Sequence, residues 1–319
     1  MTDTLTRRTL GAGIAALSAF ALPRSGHAAG RVRIGYQKNG SLVILRRQRQ
    51  LERAGLAVEW VEFASGPPLL EALNAGAVDF GATGDTPPIF AQAAGAELLY
   101  VGAQPIAGAN AAVLVRADGP IRTTADLRGK RVAFTKGSSA HNMILHVLAA
   151  AGLRPADIQH VNLQPADAGA AFRSGALDAW TVWDPFFAMA ELEPATRVLT
   201  TGVGVAPSNS FFLARRTFAT EQPGTVLALL DAINAAAEWA RDNTEALAAM
   251  MTEVTGVPLA AQRVAAPRGV YAVQPLDPAI VTQQQAIADR FAELRIIPTR
   301  IDVAKAVWRP ERQSAEARP

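Results

Sequence analysis

The chain has 319 residues, a length that suggests two domains and ample buried core. With 50% hydrophobic and 18% charged residues it reads as globular rather than disordered. It contains no cysteine, which excludes disulfides, thiolate metal sites and cysteine nucleophiles, and its net charge of +3 gives no reason to expect a nucleic-acid partner. His27, His141, His146 and His160 form no H-x-x-x-H pair, so a zinc enzyme of that kind is not expected.

Residues 1–29 predict an export signal. Thr6-Arg7-Arg8-Thr9-Leu10 places two arginines before the apolar stretch Leu10 to Leu22. That stretch is too short to span about 30 Å of hydrocarbon at 1.5 Å per residue. Small residues at Gly26 and Ala28 suit cleavage near Ala28, and the twin arginine favours the Tat route. Without residues 1–29 the chain carries 28 basic and 27 acidic residues, with no cysteine to accept a lipid. The expectation is a soluble, extracytoplasmic protein.

The remainder alternates strand-like and helical segments. Residues 31–36 predict a strand, 41–54 a helix, 57–61 a strand, 67–75 a helix and 78–82 a strand. Such alternation implies parallel strands joined by crossover helices. A repeat appears about 99 residues on. Ala72-x-x-x-Gly76-Ala77-Val78-Asp79 returns as Ala171-x-x-x-Gly175-Ala176-Leu177-Asp178, and Arg31-Val32-x-Ile34 returns as Arg131-Val132-x-Phe134. Asp85 and Asp184 each stand six residues beyond the repeated aspartate. Two similar α/β lobes follow, with lobe 1 at 30–112 and 209–319, lobe 2 at 113–208, and chain crossings near 110–114 and 206–211. Thr123 to Asp126 reads as a capped helix start. Beyond about residue 210 the stripes Leu227, Leu230, Ile233, Ala237 and Ile287, Phe291, Leu294 predict packing helices, and 309–319 a frayed tail.

In open α/β sheets ligands bind beyond the carboxyl ends of the strands. Four loops stand there: Gln37 to Ser41, Gly84 to Pro88, Lys136 to Ser139, and Trp183 to Phe186. Their chemistry suits an anion. Helix starts expose N–H groups and partial positive charge, Gly137 allows close backbone approach, and Ser138, Ser139 and Thr86 supply hydroxyls. Plain helix capping is the alternative role for Ser138 and Thr86. Asp85 and Asp184 suit orienting neighbours, capping helices or meeting a ligand amine. Trp183 is either an apolar wall or a core aromatic. No G-x-S-x-G and no Walker A sequence is present.

These loops also carry a resemblance. Gly35-Tyr36-Gln37-Lys38, Thr83-Gly84-Asp85-Thr86-Pro87-Pro88-Ile89-Phe90, Lys136-Gly137-Ser138-Ser139-Ala140-His141-Asn142 and Ala179-Trp180-x-x-Trp183-Asp184-Pro185 resemble the periplasmic aliphatic sulfonate-binding proteins of ABC importers. The resemblance runs from about residue 31 to Pro310 and departs at Asn39 to Leu42, Gln104 to Gly108 and Thr201 to Ser208. It implies a two-lobed type II periplasmic binding protein fold, class α/β, with a ligand cleft between the lobes. It implies capture of an alkanesulfonate, without catalysis or cofactor, for an ABC permease with a cytoplasmic ATPase. The expected form is a periplasmic monomer. Taurine, nitrate or another small anion is the alternative ligand, and a thiamine-precursor-type enzyme the lesser alternative. The ligand-binding candidates are Gln37, Gly84, Asp85, Thr86, Gly137, Ser138, Ser139, Asn142, Trp183, Asp184 and Ser210.

Overall fold

The computed structural model describes residues 31–204 and 208–310. The export-signal candidate at 1–29 and most of the 309–319 tail lie outside the described residues. The chain begins β1 (Val32–Tyr36), α1 (Ser41–Gln48), α2 (Gln50–Arg53), β2 (Val58–Glu62), α3 (Gly66–Asn74), β3 (Phe80–Thr83), α4 (Thr86–Ala93) and β4 (Leu98–Ile106). The single helix expected over 41–54 breaks at Arg49, which takes φ 53 between α1 and α2. A second set follows: β5 (Ala111–Arg116), a 3-10 turn at Thr124–Leu127, β6 (Arg131–Ala133), α5 (Ser139–Ala150), β7 (Gln159–Val161), α6 (Pro165–Arg173), β8 (Ala179–Trp183), α7 (Phe186–Glu191) and β9 (Thr196–Thr201). The chain then returns as β10 (Ser208–Arg215), α8 (Arg216–Glu221), α9 (Pro223–Asp242), α10 (Thr244–Thr255), α11 (Leu259–Ala265) and α12 (Pro278–Glu293).

Two five-stranded sheets result, one per lobe, ordered β2-β1-β3-β10-β4 and β7-β6-β8-β5-β9. In each, four strands run the same way and one, β10 in the first sheet and β5 in the second, runs antiparallel to both its neighbours. The chain passes from the first sheet to the second between Ile106 and Ala111, and returns between Thr201 and Ser208.

The internal echo has a structural cause. Asp79 accepts from the Arg33 backbone N–H at 3.0 Å and from its guanidinium at 2.7 and 3.0 Å. Asp178 accepts from Arg131 in the same manner, at 2.8, 2.9 and 3.1 Å. Each pair ties the start of a sheet's central parallel strand to the chain entering the next strand. The pairing also corrects the register of the echo. Ile34 stands opposite Phe80 as Val132 stands opposite Ala179, so the counterpart of Arg131 is Arg33 and not Arg31.

The helical stripes need adjustment as well. The core side of α9 is Val226, Leu229, Ile233, Ala236, Ala237 and Ala240, while Leu227 is 46% exposed. On α12, Ile287 and Phe291 are buried, but Leu294 lies just past the helix end and is 41% exposed. Spacing alone leaves the phase of a helix free by one residue.

Candidate functional site

Between the two sheets lies a cavity of about 200 Å³. It is lined from the loops after β1, β3 and β8, from the start of α5, and from the two chain crossings. None of the described residues that line it is ionisable. Amide and hydroxyl side chains provide the polarity, and Leu42, Ile106, Phe212 and Trp183 supply apolar wall.

Four helices present their first residues to this space: Ser41 and Leu42 of α1, Gly66 of α3, Pro87 of α4, and Ser139 with Asn142 of α5. No side-chain cap closes any of these four ends. The first N–H groups of a helix have no intrahelical acceptor, and each end carries about half a positive charge. The crowding is tight. A Cβ on Gly66 would come 2.5 Å from Cγ of Pro87, so only glycine lets α3 and α4 start side by side. The α5 start owes its shape to Gly137, at φ 78, whose N–H donates to His141 Nδ1 at 3.2 Å. That bond holds the His141 ring between lobes, with centroids 4.9 Å from Phe134 and 5.1 Å from Phe291. Burial pushes the imidazole down to about 3.

Hydrogen bonds fix the polar lining. Ser41 Oγ donates to Gln104 Oε1 at 2.9 Å, and Gln37 Nε2 to the Ala82 carbonyl at 3.2 Å. Ser138 Oγ donates to the Thr135 carbonyl at 2.7 Å, which leaves its lone pairs rather than its hydrogen toward the cavity. Asp85 is 1% exposed and gathers three donors: Thr86 Oγ1 at 2.8 Å, Asn142 Nδ2 at 2.8 Å and Ser208 Oγ at 2.5 Å. Gln284 Nε2 donates to its backbone carbonyl at 2.6 Å. Asn142 belongs to the second lobe, so this carboxylate is also a contact across the cleft.

Of the candidates read from sequence, Gln37, Gly84, Ser138, Ser139, Asn142, Trp183 and Ser210 line the cavity. Asp85, Thr86, Gly137 and Asp184 do not. Thr86 is fully buried and its hydroxyl is spent on Asp85. Gly137 shapes the turn and packs toward Phe90. Asp184 caps α7 through the Ala188 N–H at 3.0 Å and lies 3.6 Å from Arg268, beside an adjoining cavity of about 110 Å³. Burial pushes its carboxyl up to about 6, with Arg268 pulling the other way. Sequence reasoning missed Gln104 and Asn110 as lining residues, and placed Asn39, Ser41 and Ser208 only within ligand-facing segments without singling them out. Gln104 had a signal, a polar side chain in the otherwise apolar run Leu98 to Ile106. Ser41 had another, as the residue that opens α1 after Gly40. Asn110 and Ser208 reach the cavity only because both crossings pass its edge.

No group of side chains suited to a metal ion occurs among the described residues, and none of their helices is long and apolar enough to cross a membrane. Residues 51–246 match the family described as NMT1/THI5 like. A protein of Escherichia coli (strain K12) named for aliphatic sulfonates binding is 40% identical over 305 residues, covering 94% of this chain and 95% of its own. The alkanesulfonate-binding protein of Xanthomonas axonopodis pv. citri, solved bound to MOPS, superposes with a TM-score of 0.85 at 43% identity, over 88% of this chain and 98% of its own. The periplasmic aliphatic sulphonate binding protein of Escherichia coli gives 0.82 at 38% identity, over 91% and 95%. On this extent of shared sequence and backbone, the chain belongs to the NMT1/THI5-like family and to the family of the aliphatic sulfonates-binding proteins.

Proposed function

We propose that this protein is an extracytoplasmic solute-binding protein that captures aliphatic sulfonates in the interlobe cavity and delivers them to an ABC permease with a cytoplasmic ATPase. The observation that carries the reading is an anion-suited cavity without a basic side chain, surrounded by four uncapped helix starts and neutral donors. A sulfonate is a monoanion with three acceptor oxygens. Dispersed partial charges and single N–H or O–H donors match it better than one point cation would. The alkyl group would lie against Trp183 and Ile106, in the same way that ligand sites generally combine apolar walls with a few polar anchors.

The role is binding, not catalysis. The lobe of the first sheet, up to Ile106 and again from Ser208, and the lobe of the second sheet, from Ala111 to Thr201, close around the ligand by bending at the two crossings, and the permease reads the closed, monomeric form. The twin arginine at Arg7-Arg8 and the small residues before Ala29 support Tat export to the periplasm with cleavage near Ala28. Calorimetric titration of refolded protein against ethanesulfonate, octanesulfonate, taurine, nitrate and sulfate tests the ligand class. One-to-one binding of the alkanesulfonates, tighter than the other anions, is the expected result. Preference for taurine or nitrate would move the specificity, and silence across the panel would refute the reading.

A further inference from the structure

Asp85 sits behind the cavity rather than in it, and what surrounds it is unusual for a carboxylate. No basic side chain pairs with it among the described residues, and O–H and N–H donors alone hold it. Two of these donors, Asn142 and Ser208, line the cavity. Counting hydrogens separates them. Asn142 Nδ2 carries two, so it can serve Asp85 and a ligand together. Ser208 Oγ carries one. While Asp85 is ionised that hydrogen is committed to Oδ2, and Ser208 shows the cavity lone pairs, which repel an anion. With a proton on Oδ2, Asp85 becomes the donor across the same 2.5 Å, and Ser208 turns its own hydrogen toward the ligand.

We propose that Asp85 takes up one proton from solvent as the anion enters, so that the cleft binds a sulfonate and a proton together. The inference rests on the cavity being the anion site. Two further facts support it. Burial already pushes the Asp85 carboxyl up, and a second negative charge alongside would push it further. The donors from Ser208, Thr86 and Asn142 and the start of α4 pull the other way, but no ionised side chain among the described residues adds to them. Tyr100 on β4 is pushed up, beyond the range in which it ionises. His141 and His146 on α5 are pushed down to about 3 and about 4 and are neutral. On α12, Gln284 meets the Asp85 carbonyl, while Arg290 sits by His146. Ser208, Asn209 and Ser210 on β10 carry no charge.

The sign follows from linkage. A group whose value is higher in the complex than in the free protein favours binding fully below its free value. The advantage is lost by about tenfold per pH unit above it, until the value in the complex is reached. The test is calorimetry of octanesulfonate binding from about pH 6 to about pH 9, where depressed histidines are neutral, in buffers of different ionisation enthalpy. Proton uptake per sulfonate that rises to a maximum between the free and bound values of Asp85, and never exceeds one, is expected. In D85N the uptake falls to zero and the affinity stops changing with pH. Should that variant not fold, infrared difference spectra of the wild-type protein give the same answer through a new carboxylic acid C=O band on binding. Binding heat without buffer dependence overturns this inference alone. Absence of binding by any sulfonate overturns the assignment of the cavity itself.

Discussion

Gly84→Ala tests whether the cleft works by bringing two loops into contact. Gly84 lies between β3 and α4 in the first lobe, and Ser139 opens α5 in the second. A Cβ built on Gly84 falls 1.8 Å from Ser139 Oγ and 3.1 Å from Ser139 Cβ. Rotation about χ1 of Ser139 can move the hydroxyl away. The Cβ–Cβ approach remains, and it is still several tenths of an ångström inside ordinary contact. Overpacking of this kind costs about 1–3 kcal/mol, which corresponds to roughly 5- to 150-fold weaker sulfonate binding. The residues belong to different lobes, so the cost falls on closure. The melting temperature of ligand-free G84A is expected to change far less than its affinity. Ser139→Gly removes both contacts, so G84A combined with S139G should recover part of the loss, with the coupling read from a double-mutant cycle. Affinity of G84A equal to wild type would refute the argument, as would a double variant no better than G84A.

Other perturbations address the wall, the core and the pH response. Trp183→Ala should weaken octanesulfonate binding severalfold more than ethanesulfonate binding in parallel titrations, since only the longer chain covers the indole; equal losses would assign the ring to the core. Asp79→Asn should lower stability in urea by about 3 kcal/mol, because its carboxylate is 7% exposed and meets both Arg33 and Arg215. Asp178→Asn, at 32% exposure with one arginine, should cost about 1 kcal/mol. Burial holds His146 down to about 4, with Arg290 adding to the effect, so its contribution is complete above about 6.5 and is lost as pH falls toward 4. His146→Leu should therefore gain about 1 kcal/mol over wild type in urea melts at about pH 5 and much less near pH 8. A pH-independent difference would contradict this.

The alternation of strands and helices made the α/β class legible because each element has its own period and its own breakers. The internal echo was legible because Asp79 and Asp178 do the same work in two sheets. The echo misled at the strand, where Arg31 and Arg33 flank Val32 and only the partner aspartate distinguishes them. At the site, the sequence identified which loops converge but not where each side chain turns. Thr86 and Asp184 sit in the right loops and bond inward, to Asp85 and to the Ala188 N–H. Gln104 and Asn110 come from places with no loop motif, and their roles depend on a second lobe arriving opposite.

The position of β10 has a consequence for how the molecule is made. In the first sheet this strand lies between β3 and β4, yet it is encoded after the whole second sheet. A nascent chain that has emerged as far as β4 therefore holds two strand edges with nothing between them, and such edges invite mispairing. The second sheet is drawn from one continuous stretch, Ala111–Thr201, and needs nothing from outside it. Long-range pairing is slow because loop closure precedes its reward. Synthesis thus favours an order in which the later-encoded sheet matures first, and the earlier one waits more than a hundred residues for the strand that joins β3 to β4.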